Sequence, residues 1–291
     1  MQVQPITSTF GCEVRGLDVA GPEAGSAFST IKNLISEHQL LVIKDQSLTP
    51  DGLMRFTRLF GEPEKHILRH YTLADYPEIF VISNAEDDGK PAGIKTVGYN
   101  WHTDHGYLPE PTNFIIIYAL EAPAEGGATL FANTQRIFEE MTEAERAFLR
   151  GREAIYSYLK LYDAKPHYGP PMTPEERAKY PDVQHPLVNL HPETGKERLY
   201  INRGDCKGIT GLGDADGLAL VHDIFERIIN SPYTYAHQYE PGDLVVWDNH
   251  SLLHAASPFD MDKYTRRVHR TCVAGQRLIP APMSEQLSAA M

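Results

Sequence analysis

The chain has 291 residues and a net charge of −12 at pH 7, with 39 acidic against 27 basic residues. This length allows a large core, and the acidic balance provides no general attraction to nucleic acid or to an anionic membrane surface. No stretch approaches the roughly 20 apolar residues of a membrane span, and the opening MQVQPITSTFG lacks the pattern of a signal peptide. The three cysteines are far apart, which argues against a disulfide framework and favours a cytoplasmic location.

The first half of the chain predicts two helices and several buried strands. Residues 24–38 carry apolar side chains at helical spacing. A second helix opens at Thr49-Pro50-Asp51 and ends at Gly61. Runs rich in β-branched and aromatic residues predict strands. These runs are LLVIKD (40–45), EIFVIS (78–83), FIIIYAL (114–120) and ATLFAN (128–133).

The second half begins with a region, 155–210, that is rich in proline and tyrosine and has little periodicity, apart from the helical stretch TPEERAKY. Long irregular stretches inside domains are commonly functional lids, so we expect a lid-like insert here. Residues 214–230 predict a helix. Three strand-like runs follow, TYAHQYE (234–240), DLVVWDN (243–249) and RRVHRTCV (266–273). The order of elements predicts a single α+β catalytic domain over 1–291, mainly β, with a barrel or sandwich at its core.

The segment NWHTDHG (100–106) contains the first candidate for chemistry. His102 and Asp104 are two residues apart, so on an extended chain their side chains point the same way while His105 faces away. An imidazole and a carboxylate on one face are two arms of a facial triad, which leaves three positions on iron for co-substrate and oxygen. In isolation, however, this pattern is more often a hydrogen-bonding pair than a metal site.

The third arm should be a distant histidine on another strand. His250 and His254, in WDNHSLLHAA, are four residues apart and could share a face, so spacing leaves both open. We expect Asp248 to hydrogen-bond within a tight turn rather than to bind metal. Two histidines and a carboxylate also suit catalytic zinc. A zinc hydrolase is therefore one alternative, and a non-catalytic jelly-roll binding protein is another.

A series of segments resembles, in order, the taurine dioxygenase and chlorophenoxyacetate dioxygenase family. They are FGCEVRGLD (10–18), LLVIKDQSLTPDGLMRFTRLFGEP (40–63), WHTDHGY (101–107), EGGATLFANT (125–134) and GDLVVWDNHSLLHAA through RRVHR (242–270). The resemblance implies a double-stranded β-helix (a cupin-like jelly roll) decorated by helices. It also implies an Fe(II)- and 2-oxoglutarate-dependent oxygenase that uses molecular oxygen, with ascorbate expected to support turnover in vitro. By the same resemblance, His254 rather than His250 is the distal iron ligand.

The late segment TRRVHRT provides candidate anchors for 2-oxoglutarate, whose far carboxylate requires a cation, ideally an arginine fork. Arg266 and Arg270 are four residues apart and share a strand face, roughly 13 Å apart, while Arg267 faces away. The resemblance implies that Arg266 binds the far carboxylate with help from Thr129, and that Arg270 lies nearer the iron and the substrate. Asn100 is also assigned to the co-substrate site.

The resemblance places substrate contacts in the segment before His102, in the insert and at the second arginine. The candidates are His66, His70, Tyr71, Asn84, Asn100, Tyr162, Lys165, Tyr168 and Arg270. The segment HILRHYT does not reproduce the family's taurine-binding pattern, so we expect a different small acid, a carboxylate or an amino-acid-like molecule.

The reaction expected from the resemblance is hydroxylation, desaturation or a related oxidation in secondary metabolism, with release of succinate and carbon dioxide. Related halogenases carry a small residue in place of the acid at Asp104, so its presence argues against halogenation. The expected partner is a small molecule, without nucleic acid or membrane, and association into a homo-oligomer is left open.

Overall fold

A computed structural model of the protein describes residues 1–164 and 171–283, which divide into two compact units. The first unit comprises residues 1–101, 112–131 and 234–275, and the second comprises 102–111, 132–233 and 276 onward. The helices are α1 (Ala24–His38), α2 (Pro50–Phe60), α3 (Thr134–Glu140), α4 (Glu143–Leu149), α5 (Tyr158–Asp163), α6 (Pro174–Arg177) and α7 (Asp214–Ile229), with a 3-10 turn at Arg69–Tyr71.

The strands are short and run along most of the described chain. They are β1 (Gln2–Pro5), β2 (Cys12–Arg15), β3 (Leu40–Ile43), β4 (Thr72–Leu73), β5 (Tyr76–Ser83), β6 (Glu86–Asp87), β7 (Lys90–Pro91), β8 (Phe114–Glu121), β9 (Thr129–Asn133), β10 (Glu153–Tyr156), β11 (Val183–Pro186), β12 (Val188–Leu190), β13 (Glu197–Leu199), β14 (Cys206–Ile209), β15 (Thr234–His237), β16 (Leu244–Asp248), β17 (Leu252–Ala256), β18 (Arg267–Val273) and β19 (Ile279–Pro280).

The first unit is built on an eight-stranded sheet, in the order β1-β2-β3-β16-β8-β18-β5-β4, and a three-stranded sheet, β15-β9-β17. Along β8, alternate side chains enter different clusters, as the two-residue period of a strand requires. Ile115 packs with Phe131 of β9 and Leu252 of β17, between the two sheets. Ile116 packs with Phe56 of α2 and Ile31 of α1, on the opposite face. Two facing sheets with helices on the outer face form the expected jelly roll.

The two helices predicted in this unit end where the sequence indicates. The hydroxyl of Thr49 accepts a hydrogen bond from the amide of Gly52 at 3.1 Å and so caps α2. Gly61 follows the last helical residue with φ 148°, a conformation that side chains rarely adopt. In α1, Ile31 and Ile35 are four residues apart and fully buried. The predicted strands of this unit are also present.

The second unit corrects one expectation, because region 155–210 is not largely irregular. It contains strands that pair as β11-β10-β14, and β12 and β13 pair with β19 as β13-β12-β19. Strands of three or four residues are too short for a period to be read from sequence. The candidates Lys165 and Tyr168 lie outside the described residues. No helix in the described ranges is long and apolar enough to cross a membrane.

Candidate iron and co-substrate site

Asp104 begins a turn, whereas His102 lies before it at a single β-bridge, so the expected extended chain ends before Asp104. Residues 104–107 form the turn, and His105 adopts φ 58° in the left-handed region. Histidine tolerates that region better than most residues. The alternation of side chains along a strand therefore does not determine the direction of the His105 side chain. The two candidate ligands still meet, since Nε2 of His102 lies 3.7 Å from an Asp104 carboxylate oxygen.

One of the other candidate histidines lies on β17, and the other lies in the connection between β16 and β17. His254 lies on β17, is buried, and packs edge-on against Trp247 with ring centroids 4.9 Å apart. His250 lies in the tight turn before that strand, where its backbone amide donates to Asp248 at 2.9 Å. The other Asp248 oxygen accepts from the Ser251 hydroxyl at 2.6 Å. The expected turn role of Asp248 is therefore confirmed.

The structure brings together three candidate metal ligands, His102, Asp104 and His254. One donor atom from each side chain lies within 4.8 Å of those of the other two. Two imidazoles and one carboxylate at this spacing fit non-heme iron, and they leave coordination positions open. Within the described residues, His250 is not part of this group.

Arg266 precedes β18 and is only 6% exposed. Its backbone amide donates to the Asn84 side-chain oxygen at 2.8 Å. Its guanidinium Nε is buried and has no hydrogen-bond partner among the described residues. Burial lowers the pKa of this guanidinium, because the charged form loses solvation. A buried cation of this kind is stabilised when an anion binds to it.

Thr129, on β9, is buried, and its hydroxyl lies 2.9 Å from the hydroxyl of Tyr239. Tyr239 is 3% exposed, and burial raises its pKa to about 12, so it is a protonated hydroxyl at neutral pH. Arg266 acts on that pKa in the opposite direction, through its positive charge. Sequence reasoning missed Tyr239, although the alternation of Tyr235, His237 and Tyr239 in TYAHQYE is a signal of a shared strand face.

The remaining arginines divide as expected between the two faces of β18. Arg267 pairs at the surface with Asp87 at 2.8 Å and with Glu121 at 3.1 Å. Arg270 is 8% exposed, and its guanidinium carbon lies 5.2 Å from the centre of the Phe80 ring. Asn100 is exposed in the irregular segment that precedes the turn.

Phe80 also contacts the aromatic substrate candidates, and sequence reasoning missed it. The ring of His66 stacks on it at 3.7 Å, and Tyr71 meets it edge-on at 6.3 Å. His70 packs against Tyr71 at 4.1 Å and is exposed. Arg270 and these rings thus form one cluster within the first unit. Phe80 contacts His66, Tyr71 and Arg270 because the folded sheet brings these residues around its buried ring.

Asn84 has a structural role. Its side-chain nitrogen donates to the backbone oxygens of Met261 and Tyr264 at 3.2 and 2.9 Å, and its oxygen accepts from the Arg266 amide. These bonds hold the loop that leads into Arg266. They also use both ends of the amide, so we remove Asn84 from the substrate candidates.

Comparison with known proteins identifies the family. The model of the family "Taurine catabolism dioxygenase TauD, TfdA family" matches residues 2–272. The chain belongs to this family. Members of the TauD, TfdA family are dioxygenases that depend on Fe(II), 2-oxoglutarate and molecular oxygen. The protein is therefore an enzyme of this class. Its substrates are accordingly small molecules.

Two curated relatives and one crystal structure illustrate the similarity. An (S)-phenoxypropionate/alpha-ketoglutarate-dioxygenase from Delftia acidovorans is 30% identical, with 95% of this chain and 96% of the relative covered. A pentalenolactone F synthase from Streptomyces arenae is 29% identical, with 94% and 95% covered. The crystal structure of AAD-2 in complex with Mn(II) and N-oxalylglycine superposes with a TM-score of 0.81 at 24% identity, covering 95% of this chain and 99% of that chain. This structural similarity supports the jelly-roll fold.

Proposed function

We propose that the protein oxidises a small anionic substrate, a carboxylate or amino-acid-like molecule, with iron held by His102, Asp104 and His254. The observation that carries the proposal is the approach of these three donors to within 4.8 Å of one another. When bound, the iron supplies the oxygen chemistry, and the protein residues provide binding and orientation. We further propose that residues 1–291 act as a single catalytic domain in which the insert at about 155–210 serves as a lid.

For the co-substrate, we propose that Arg266 pairs with the far carboxylate of 2-oxoglutarate. Its burial supports this role, as does the fact that no described residue hydrogen-bonds to its Nε, because a bound carboxylate would neutralise a charge that has lost its water. Thr129 and Tyr239 would supply hydroxyl groups to the same carboxylate. Their hydroxyls are hydrogen-bonded to each other, and the charge of Arg266 acts on the pKa of Tyr239. Asn100 remains a candidate for the co-substrate site.

For the substrate, we propose that Arg270 meets an acidic group and that the rings around Phe80 contact an apolar part. A buried guanidinium above an aromatic ring suits a ligand with both an anionic and an apolar portion. His70 and Tyr71 are the further contacts proposed in this unit, and Lys165 remains a candidate from the insert. The Delftia acidovorans relative is named for an aryloxy carboxylate, which is a molecule of this kind.

The test is a screen of small acids for substrate-stimulated release of succinate, followed by comparison of each active acid with its methyl ester. The acid should bind more tightly, and Arg270→Ala should reduce that preference. Arg267→Ala is the matched control, since it removes an arginine from the other face of the same strand. Equal turnover of acids and esters would overturn the anionic substrate and leave the iron assignment intact.

Family membership favours this reading over the zinc hydrolase and the non-catalytic binding protein considered above. A hydrolase would have no use for a buried arginine anchor, and only the oxygenase would release succinate from 2-oxoglutarate. A cytoplasmic location is also proposed, in keeping with Cys12, Cys206 and Cys272, which are buried and form no disulfide among the described residues. Hydroxylation, desaturation and related oxidations are the proposed outcomes.

A further inference from the structure

The backbone of the turn at 104–107 must be held in place by groups outside the turn. Residues in a strand are held by a ladder of backbone hydrogen bonds, whereas a turn leaves carbonyl groups that need other partners. Asp104 belongs to this turn, and a metal ligand must be held within about 0.5 Å of its working position. Groups that donate hydrogen bonds to the carbonyls around Asp104 should therefore influence the affinity for the metal.

Side chains from the insert bind those carbonyls. The side-chain nitrogen of Asn202 donates to the oxygen of Thr103 at 3.2 Å, and Thr103 lies between His102 and Asp104 in the chain. Nε2 of His185 lies 3.0 Å from the oxygen of Gly106 and 2.9 Å from that of Leu108. Since carbonyl oxygens only accept hydrogen bonds, Nε2 must be the protonated nitrogen of His185.

The packing around these bonds is close. Asn202 is 5% exposed and His185 is 3% exposed, so water does not readily replace either one. A Cβ atom added to Gly106 would lie 3.3 Å from both the Tyr200 hydroxyl and an Asp205 carboxylate oxygen, which is a tight contact. His185 itself lies on β11, which pairs with β10. The donor is thus fixed by a sheet.

We propose that His185 and Asn202 are positioning residues for the metal centre, and that this part of the insert is a clamp on the turn 104–107. The proposal rests on the proposed function to the extent that Asp104 is a metal ligand. Neither side chain needs to touch the metal or the substrate. Each holds backbone atoms that determine where the Asp104 carboxylate lies, a role that differs from that of a lid.

The test measures affinity for Mn(II) by electron paramagnetic resonance, together with iron titration under anaerobic conditions. His185→Leu and Asn202→Leu should each weaken metal binding by about 10- to 100-fold, the usual effect of losing an outer-shell partner. His185→Gln keeps an N–H donor and should restore most of the affinity. The Michaelis constant for 2-oxoglutarate at saturating iron should stay within about twofold of the original value, because neither residue belongs to the proposed co-substrate anchor.

The control is His191→Leu. His191 is also buried in the insert, and its Nδ1 accepts from the amides of Glu193 and Thr194 within its own hairpin turn. If His185→Leu and Asn202→Leu lose no more metal affinity than His191→Leu, the clamp is wrong. Asp104→Ala separates the two hypotheses, because its retention of metal would overturn the proposed function itself. Should His185→Leu fail to fold, Asn202→Leu and the glutamine variant decide.

Discussion

The candidate site is held in two different ways. His254 and Arg270 belong to strands β17 and β18, where the backbone ladder fixes which way each side chain points. His102 and Asp104 belong to a turn and its approach, where side chains of the insert bind the backbone oxygens. Strand residues are therefore positioned by local pattern, whereas the turn residues depend on partners roughly 80 to 100 residues away in the chain.

The largest effect is expected for loss of any one metal ligand, whether it lies on a strand or in and beside the turn. His102→Ala, Asp104→Ala and His254→Ala should each abolish iron-dependent turnover, because a triad that loses one arm holds iron poorly. His105→Ala and His250→Ala should leave iron binding largely intact, since neither belongs to the group of three donors. Iron titration of the variants is the measurement. Loss of iron in His250→Ala with retention in His254→Ala would reverse the assignment.

A second prediction concerns the outer face of β18, where the pKa of His269 is lowered to about 4, by burial first and by Arg267 second. The folded state therefore holds His269 neutral, while the unfolded chain binds a proton below its ordinary pKa of 6.5. This contribution to stability is full above pH 6.5 and is lost as the pH falls toward 4. Its size is on the order of 3 kcal/mol.

Urea unfolding between pH 7 and pH 4 tests this prediction. His269→Gln should lose less stability over that range than the original protein, whatever its stability at pH 7. His222→Gln, which changes an exposed histidine of α7, is the matched substitution for comparison. Parallel curves for His269→Gln and the original protein would show that His269 titrates normally.

The third prediction sharpens the contrast between the faces of β18. Arg266→Ala should weaken 2-oxoglutarate binding by roughly ten- to a hundredfold, since a hydrogen bond to a charged group contributes about 1.5–3 kcal/mol. Arg267→Ala should change it little, because Arg267 pairs with Asp87 and Glu121 at the surface. The Michaelis constant for 2-oxoglutarate is the measurement. An unchanged value in Arg266→Ala would indicate that another cation anchors the co-substrate.

The smallest effect is expected at Tyr239. Tyr239→Phe removes one neutral hydroxyl from the pair with Thr129, which should raise the same Michaelis constant by roughly two- to tenfold, or about 0.5–1.5 kcal/mol. Tyr235→Phe is the matched control, because its hydroxyl bonds to His237 instead. Equal effects in the two variants would mean that Tyr239 acts only through packing and not through its hydroxyl.

Much of this molecule could be predicted from local pattern. The helices at Ala24–His38 and Pro50–Phe60 follow from apolar spacing and from a threonine cap, and both depend only on neighbouring residues. The opposite directions of Arg266 and Arg267 follow from strand alternation alone. The choice of His254 over His250 depended on resemblance, because four-residue spacing on a strand places both on one face.

Tertiary structure decided what local pattern could not. The turn at 104–107 forms where the sequence suggested a strand, and its partners His185 and Asn202 come from the insert. Phe80 and Tyr239 join the candidate site because distant strands bring them next to Arg270 and Thr129. The physical reason is that periodicity reports only which face of its own element a side chain occupies. Which side chains meet across elements depends on strand pairing and burial in the folded chain.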